Sequence, residues 1–203
     1  MVLAPSGSLM ERLRQPFRMG VAEDLRGLTI NDALDLSDQQ LPNLDFTGTV
    51  FNKPIVARGA TFQGLAWFND ATFNALADFS GAKFQNDANF KAARFNSLAT
   101  FSTAELSGVA CFDGAIFDDA TFLDRMLCWG SLSLDCTRFR GPVSFQDSEC
   151  FGGLWCNDTV FGARTDMQGM EVHGRTWFVG STMANERVGR LASAVGSYGY
   201  RWL

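Results

Sequence analysis

The sequence predicts an all-β solenoid with four sides and about 22 residues per coil, and two observations support this prediction. Eighteen of the 19 phenylalanines fall on one rhythm of five- and six-residue steps. From Ala60 to Phe122, an alanine stands two residues before each large apolar residue, which gives twelve consecutive Ala-x-Phe or Ala-x-Leu units. A fixed internal period of this kind is the signature of a repeat architecture.

Neither a helix nor an extended strand accommodates this rhythm. At about 100° per residue in a helix, successive phenylalanines would lie about 140° apart and would form no apolar face. In a continuous strand, five-residue steps would send successive rings to opposite faces. A very short strand followed by a corner fits both spacings. Alanine and phenylalanine, two residues apart, point to the same side of the strand, and the corner turns the chain before the next unit five or six residues later. A series of such strands and corners coils around a shared interior.

The number of sides follows from sums of these steps. With Phe122 and Phe151 counted as inward residues, the order of the steps varies, yet the four steps that follow Phe112, Leu134 or Cys156 span 22 residues each time. Pairs of steps span from 10 to 12 residues, so a half-coil has no fixed length. Two columns keep the 22-residue spacing throughout, those that start at Phe46 and Phe51, and the other two drift by one residue. About six coils are expected between Phe46 and Phe178.

The units resemble those of the pentapeptide-repeat proteins, in a phenylalanine-rich variant. The resemblance rests on units such as Ala71-Thr-Phe73, Ala77-Asp-Phe79 and Ala93-Arg-Phe95, and it extends over about residues 36–180. It implies a right-handed, four-sided β-helix that acts as a non-catalytic protein-binding module. Some members of this family mimic DNA, bind DNA gyrase (a type II topoisomerase) and protect it from quinolone-like drugs. The resemblance therefore implies antibiotic resistance as one biological role.

The solenoid is expected to occupy residues 36–180, with an N-terminal cap at 1–35 and a C-terminal cap or dimerisation element at 181–203. Ser8 and Glu11 have the spacing of a capping box, which predicts a short N-terminal helix that stops before Pro16. No coil of a solenoid is stable alone, so both ends need a cover.

The C-terminal segment is predicted to be helical from Ala184 to Val195. Val188, Leu191 and Val195 would share one helix face, and aromatic residues including Trp202 follow. Two readings remain open for this segment. It covers the open end of its own solenoid, or it joins two copies in a homodimer, as C-terminal elements do in some relatives.

Charge and composition narrow the function class. The chain carries 22 acidic and 17 basic residues, a net charge of −5, which argues against direct binding of nucleic acid. No stretch approaches the roughly 18 apolar residues that a membrane span needs. The first ten residues are uncharged and the first charges follow them, the reverse of a secretory signal. We expect a cytoplasmic protein that contacts no membrane.

Catalytic and metal-binding sets are not recognisable in the sequence. His173 is the only histidine and follows an inward position, so it is expected to point outward as an ordinary surface residue. The five cysteines contain no CxxC pair, and Cys128 and Cys156 take inward positions, where they should be inert. The sequence therefore predicts no enzyme, no cofactor and no metal site.

The acidic residues are candidates for DNA mimicry. Between Asn96 and Asp135 there are six acids and one base. Six coils would span about 29 Å, over which duplex DNA carries about 17 negative charges. On the four-sided register the acids scatter over several sides, which also fits an ordinary solvated surface. The candidate partner-binding acids are Asp113, Asp118, Asp119, Asp124 and Asp135.

Three tryptophans form a second candidate surface. Trp67, Trp155 and Trp177 each precede an inward position and are separated by 88 and 22 residues, so they should share one outward face. Exposed aromatic side chains in line indicate a protein contact. The alternatives are that the C-terminal tail folds back over them, or that the protein is a scaffold that assembles through this face and its ends.

Overall fold

The computed structural model describes residues 8–184, 186–188 and 194–202, and nearly all of its regular structure consists of strands of two or three residues. The strands form four sheets, one on each side of a solenoid. The chain passes through sheets A, B, C and D in turn and returns to sheet A one coil later. The predicted four-sided β-solenoid is confirmed. Among the described residues, no helix has the length and apolar character needed to cross a membrane.

Each side of the solenoid is built from one strand per coil. Sheet A contains Ala22–Asp24, Asn43–Asp45, Ala66–Trp67, Ala88–Asn89, Ala110–Cys111, Leu132–Ser133, Gly153–Trp155, Arg175–Trp177 and Arg201–Trp202. Sheet B contains Thr29–Ile30, Val50–Phe51, Thr72–Phe73, Arg94–Phe95, Ile116–Phe117, Arg138–Phe139, Val160–Phe161, Thr182–Met183 and Glu186–Arg187. Sheet C contains Leu34–Asp35, Ile55–Val56, Ala77–Asp78, Ala99–Thr100, Thr121–Phe122, Val143–Ser144 and Thr165–Asp166. Sheet D contains Gln40–Leu41, Thr61–Phe62, Lys83–Phe84, Glu105–Leu106, Leu127–Cys128, Glu149–Cys150, Glu171–Val172 and Gly196–Ser197.

The register between coils is constant over most of the chain. Paired residues are 22 apart in every sheet from Leu44 onward, as in Leu44 with Ala66 and Phe73 with Phe95. The first coil is one residue shorter, since Ala22 pairs with Asn43, and the last is three residues longer, since Thr176 pairs with Arg201. The nine strands of sheet A therefore bound about eight coils, and the expected six is too low. The first and last coils were missed because their length and inward residues depart from the repeat.

The inward residues follow a strict alternation of five and six residues. After Phe112 the buried positions are Phe117, Leu123, Cys128 and Leu134, so the order of the steps does not vary. The prediction that Phe122 points inward is wrong, because Leu123 is 1% exposed and Phe122 is 37% exposed.

The same correction applies one coil later. Cys150 is buried, and Phe151 is 36% exposed. Choosing the phenylalanine in each case produced the apparent drift of two columns. All four columns keep the 22-residue spacing from Leu44 to Met183.

Phenylalanine rings stack in columns inside the solenoid. Rings one coil apart are nearly parallel, with centroids 4.5 Å apart in the pair Phe62–Phe84 and 5.0 Å apart in Phe90–Phe112. Rings from opposite sides meet edge to face, as Phe90 does with Phe101 at 5.2 Å and 82°. Both geometries are the favourable ones for aromatic pairs. The alanine of each unit is buried beside these rings and leaves room for them.

The five-residue corners differ from the six-residue corners in backbone conformation. The five-residue corners, from sheet A to B and from C to D, each hold a residue with positive φ two positions after the inward residue. Glycine, which adopts this conformation without strain, occupies several of these positions. Ala92 (φ 56°) and Thr103 (φ 59°) adopt it with a Cβ, so these corners store strain.

The N-terminal helix covers the first coil. It spans Leu9–Leu13, and Ser8 and Glu11 form the predicted capping box through both reciprocal hydrogen bonds. Leu13 is fully buried in the same cluster as the solenoid core, and Leu9 and Met10 pack against it. The division at residue 35 stays a prediction, although strands from Ala22 onward already belong to the four sheets.

The start of the C-terminal segment differs from the predicted helix. Glu186–Arg187 forms a strand antiparallel to Thr182–Met183 at the edge of sheet B. Ala184 has φ 49°, so the chain reverses at the point where the helix was expected to begin. The unpaired edge of sheet B supplies hydrogen-bond partners that a helix start would leave unused. Residues 185 and 189–193 of the predicted helix lie outside the described residues, and Ala194, near its predicted end, is helical.

Relief of backbone strain should stabilise the solenoid. We expect Ala92→Gly and Thr103→Gly to raise the free energy of unfolding by about 1 kcal/mol, because glycine removes the Cβ conflict at positive φ. Chemical denaturation monitored by circular dichroism measures the change. Ala75→Gly, at a six-residue corner without positive φ, is the matched control and should lower stability. Destabilisation at all three sites would contradict the assignment of strain.

The corrected register predicts losses of stability that differ in size for two phenylalanines. Phe90→Ala should lower the free energy of unfolding by about 3–5 kcal/mol, because it opens a cavity between stacked rings. Phe122→Ala should cost less than about 1 kcal/mol, since its side chain is partly exposed. If both variants lose the same free energy of unfolding in a denaturant titration, Phe122 belongs to the core and the corrected register is wrong.

Candidate interaction surface

The tryptophans of sheet A point outward and stack. Trp155 and Trp177 are register partners with ring centroids 3.9 Å apart, and Trp202 stacks on Trp177 at 4.7 Å. The Arg175 guanidinium lies 6.0 Å from the Trp177 ring centroid, within range of a cation–π contact. Trp67 is in the same outward column but lies four coils away from Trp155, so it is isolated from the stack.

A second aromatic column lies next to sheet D and was missed by the sequence reasoning. Trp129 stacks on Phe151 at 4.7 Å, Phe151 on His173 at 4.7 Å, and His173 on Tyr198 at 5.0 Å, all with nearly parallel rings. The 22-residue spacing from Trp129 to Phe151 and His173 was the available signal. It was hidden because Phe151 had been assigned to the core.

A corner of close-packed glycines separates the two aromatic columns. Gly130, Gly152, Gly174 and Gly199 directly follow the four rings beside sheet D and lead into sheet A. A Cβ built on Gly152 would lie 2.4 Å from the carbonyl carbon of Gly130, and one on Gly174 would lie 1.1 Å from the carbonyl oxygen of Gly152. The backbones of neighbouring coils therefore touch at this corner, and these four positions carry no side chain.

The two columns together form what we call the aromatic surface, made of Trp129, Phe151, His173, Tyr198, Trp155, Trp177 and Trp202. Its outermost rings are well exposed, with Trp129 at 53% and Tyr198 at 68%. Each ring is held by its neighbours and by a short strand. The surface therefore offers large apolar area in a fixed arrangement, which is typical of protein contact sites.

The C-terminal tail extends the tryptophan column instead of folding back over it. Arg201–Trp202 pairs with Thr176–Trp177 as the last strand of sheet A. Val188 and Val195 are each 3% exposed and belong to the core cluster, so in a single chain they help to cover the end of the solenoid. Leu191 lies outside the described residues. Trp202 is the terminal ring of the stack and is 41% exposed.

Three of the candidate acids bind the neighbouring coil. Asp113 accepts the Asp135 N–H at 3.2 Å, and Asp135 accepts the Asn157 N–H at 2.6 Å. Asp124 accepts the Gln146 N–H at 3.1 Å and the Ser144 hydroxyl. These carboxylates are half-buried and hold together coils that are 22 residues apart.

The other two candidate acids lie around the corner after sheet B. Asp118 is half-buried and forms ion pairs with Arg140 at 2.6 Å and Arg94 at 3.3 Å. Asp119 is exposed and accepts the N–H of Ala120 at 2.7 Å. The five acids are thus distributed over three sides, and no single side gathers them.

Two of the cysteines lie together, since Cys128 and Cys150 are register partners on adjacent strands of sheet D, and the hydrogen bond between their side chains lowers the pKa of the Cys128 thiol. Cys128, Cys150 and Cys156 are buried in inward positions, while Cys136 is exposed at a corner. Burial, with a smaller contribution from Asp135, raises the pKa of the Cys156 thiol well above its usual value. A raised thiol pKa lowers the thiolate fraction at neutral pH and with it the reactivity.

Comparison with known families agrees with this architecture. A family profile described as "Pentapeptide repeats (9 copies)" matches residues 40–83. The same 22-residue register and the same inward pattern continue on the C-terminal side of the matched segment. A search of curated proteins found no significant match.

The bonded acids should contribute to stability. We expect Asp135→Ala and Asp124→Ala each to lower the free energy of unfolding by about 1–3 kcal/mol, because each leaves a backbone N–H of the next coil without its charged acceptor. Asp119→Ala is the matched control and should change stability by less than about 0.5 kcal/mol, since that carboxylate is exposed. If all three variants unfold like the wild type in thermal melts, these acids have no structural role.

Proposed function

We propose that this chain, which contains pentapeptide repeats, binds another protein through the aromatic surface, without catalysis. The observation that carries the proposal is the pair of stacked aromatic columns, one of which continues through Trp155, Trp177 and Trp202. The pentapeptide-repeat solenoid is generally a structural or binding fold. A binding role therefore needs only a rigid surface, which the coils provide.

The physical case rests on the low entropy cost of binding at stacked rings. Trp155 and Trp177 have parallel rings 3.9 Å apart, so each restricts the rotamers of the other before any partner arrives. Large apolar area that is already ordered favours affinity, because little side-chain freedom is lost on binding. Tryptophan and tyrosine are also the residue types most enriched among the side chains that dominate binding energy.

The more specific version of the proposal is a DNA-mimicking partner of DNA gyrase that confers drug protection. It is supported by the family resemblance and by the net charge of −5. The geometry supports gyrase mimicry through the acids less strongly than it supports binding through the aromatic surface. Asp113, Asp124 and Asp135 bind neighbouring coils, and Asp118 is paired with two arginines, so less negative charge is free for a partner.

A scaffolding role is the alternative, favoured by the open terminal strands. The last strand of sheet A, Arg201–Trp202, has a partner on one edge only among the described residues. The outer face of Trp202 could stack on a second copy, and the sheet could continue across the contact. In that case the protein assembles through its C-terminal end, with no topoisomerase involved.

One set of variants separates these functions. We expect Trp155→Ala/Trp177→Ala to weaken partner binding by about 30-fold or more, because truncation of even one residue that dominates a binding interface costs about 2 kcal/mol or more. Trp67→Ala removes a tryptophan from the same column, four coils away, and should leave binding unchanged. A gyrase supercoiling assay, with and without a quinolone, measures gyrase binding, and light scattering after gel filtration measures assembly.

The outcomes are distinct for each version. Loss of a gyrase effect in Asp118→Asn/Asp119→Asn, together with strong salt dependence, supports the mimic, whereas no effect on gyrase at micromolar protein overturns it for the enzyme tested. A change of oligomeric mass in the tryptophan double variant alone supports the scaffold. If the double variant matches Trp67→Ala in both assays, the aromatic surface is not the binding site.

A further inference from the structure

We propose that Glu149, Glu171 and His173 form a binding site for a divalent cation of the zinc class on the outward face of sheet D. Their ligand atoms all lie within 4.8 Å of one another. The site shares His173 with the aromatic surface, but the argument for it uses only these three side chains and the groups that position them, and it needs no protein partner.

The distances suit one shared ion. His173 Nε2 lies 2.7 Å from Glu149 Oε1 and 3.9 Å from Glu171 Oε2. Ligands at about 2.0–2.2 Å from zinc lie roughly 3–3.5 Å from one another. Small rotations of the two glutamate side chains therefore bring all three atoms to the same ion. The three side chains are partly exposed, which leaves a path for the ion to enter.

The imidazole is already oriented toward the carboxylates. Its ring is held between Phe151 at 4.7 Å and Tyr198 at 5.0 Å, with interplanar angles of 7° and 10°. This double stacking fixes the ring plane and leaves Nε2 at the edge that faces Glu149. An ordered ligand loses little freedom when it binds a metal, so the stack favours binding.

The two carboxylates are brought together by the register of the sheet. Glu149 and Glu171 are direct partners on adjacent parallel strands, where like charges repel. In the same column Glu105 is neutralised by Lys83 at 3.8 Å. Among the described residues, the only basic side chain within 4 Å of Glu149 or Glu171 is His173. A divalent cation would remove this repulsion.

The ligand set selects the class of ion. Imidazole nitrogen favours zinc and its first-row neighbours, whereas magnesium and calcium prefer oxygen ligands throughout. Two carboxylates and one imidazole leave at least one position for water, as in zinc sites with three protein ligands. The ion would take the Nε2 lone pair in place of the Glu149 contact, and the proton would then reside on Nδ1.

The presence of a single histidine permits a direct test. Untagged, reduced protein carrying Cys136→Ser, which removes the exposed thiol, is titrated with ZnCl₂ by calorimetry and by long-range ¹H–¹⁵N NMR of the imidazole. We expect one equivalent of zinc to bind and the Nε2 resonance of His173 to shift. His173→Asn and Glu171→Gln should each weaken binding by about tenfold or more, since even the loss of an outer partner costs 10–100-fold.

Two controls keep the result interpretable. Glu105→Gln makes the same charge change in the same column and should leave zinc affinity unchanged, because Glu105 is paired with Lys83. MgCl₂ at equal concentration should leave the imidazole resonances in place. The proposal is overturned if millimolar zinc does not shift Nε2, or if His173→Asn and Glu171→Gln bind zinc as tightly as the parent protein.

Discussion

The structure depends on one constraint, the in-register stacking of coils every 22 residues. Each residue therefore lies about one strand spacing, roughly 4.8 Å, from its equivalents in the coils above and below. A side chain that stacks well on an identical side chain is therefore favoured at equivalent positions of successive coils. Phenylalanine does so inside, and asparagine does so outside, where Asn52, Asn74 and Asn96 each donate a side-chain hydrogen bond to the asparagine one coil earlier.

The same constraint works against a continuous column of negative charge. Carboxylates at equivalent positions would face each other at one strand spacing and repel. Asp113 and Asp135 occupy such positions, and each is stabilised because it accepts a backbone N–H from the following coil. Among the described residues, Glu149 and Glu171 have no comparable backbone donor and share His173 instead. Several acidic side chains of this fold are therefore engaged in contacts within the chain, and net charge alone overstates how much of their charge a partner could use.

The four-sided coil was predictable from the sequence because the total of 22 residues is fixed by geometry and survives local substitutions. The inward residue at each side was less predictable, since a phenylalanine beside a leucine or cysteine was taken for the core. Placing Phe151 inside the solenoid also concealed its stack with Trp129 and His173. The strand at Glu186–Arg187 could not be foreseen, because an unpaired sheet edge exists only once the coils have been stacked.

Along the chain, the aromatic residues shift from the interior of the solenoid to its outer surface. Up to Phe117 the inward columns are mostly phenylalanine, whereas from Leu123 onward leucine, cysteine, methionine and valine share these positions, as Cys150 and Val172 do. In the same coils Trp129, Phe151 and Trp155 appear on the outside. Smaller inward residues give up some ring stacking in the interior, and the outer rings stack by the same register. The N-terminal coils therefore supply most of the aromatic core, and the C-terminal coils use the same periodicity to order exposed aromatic columns.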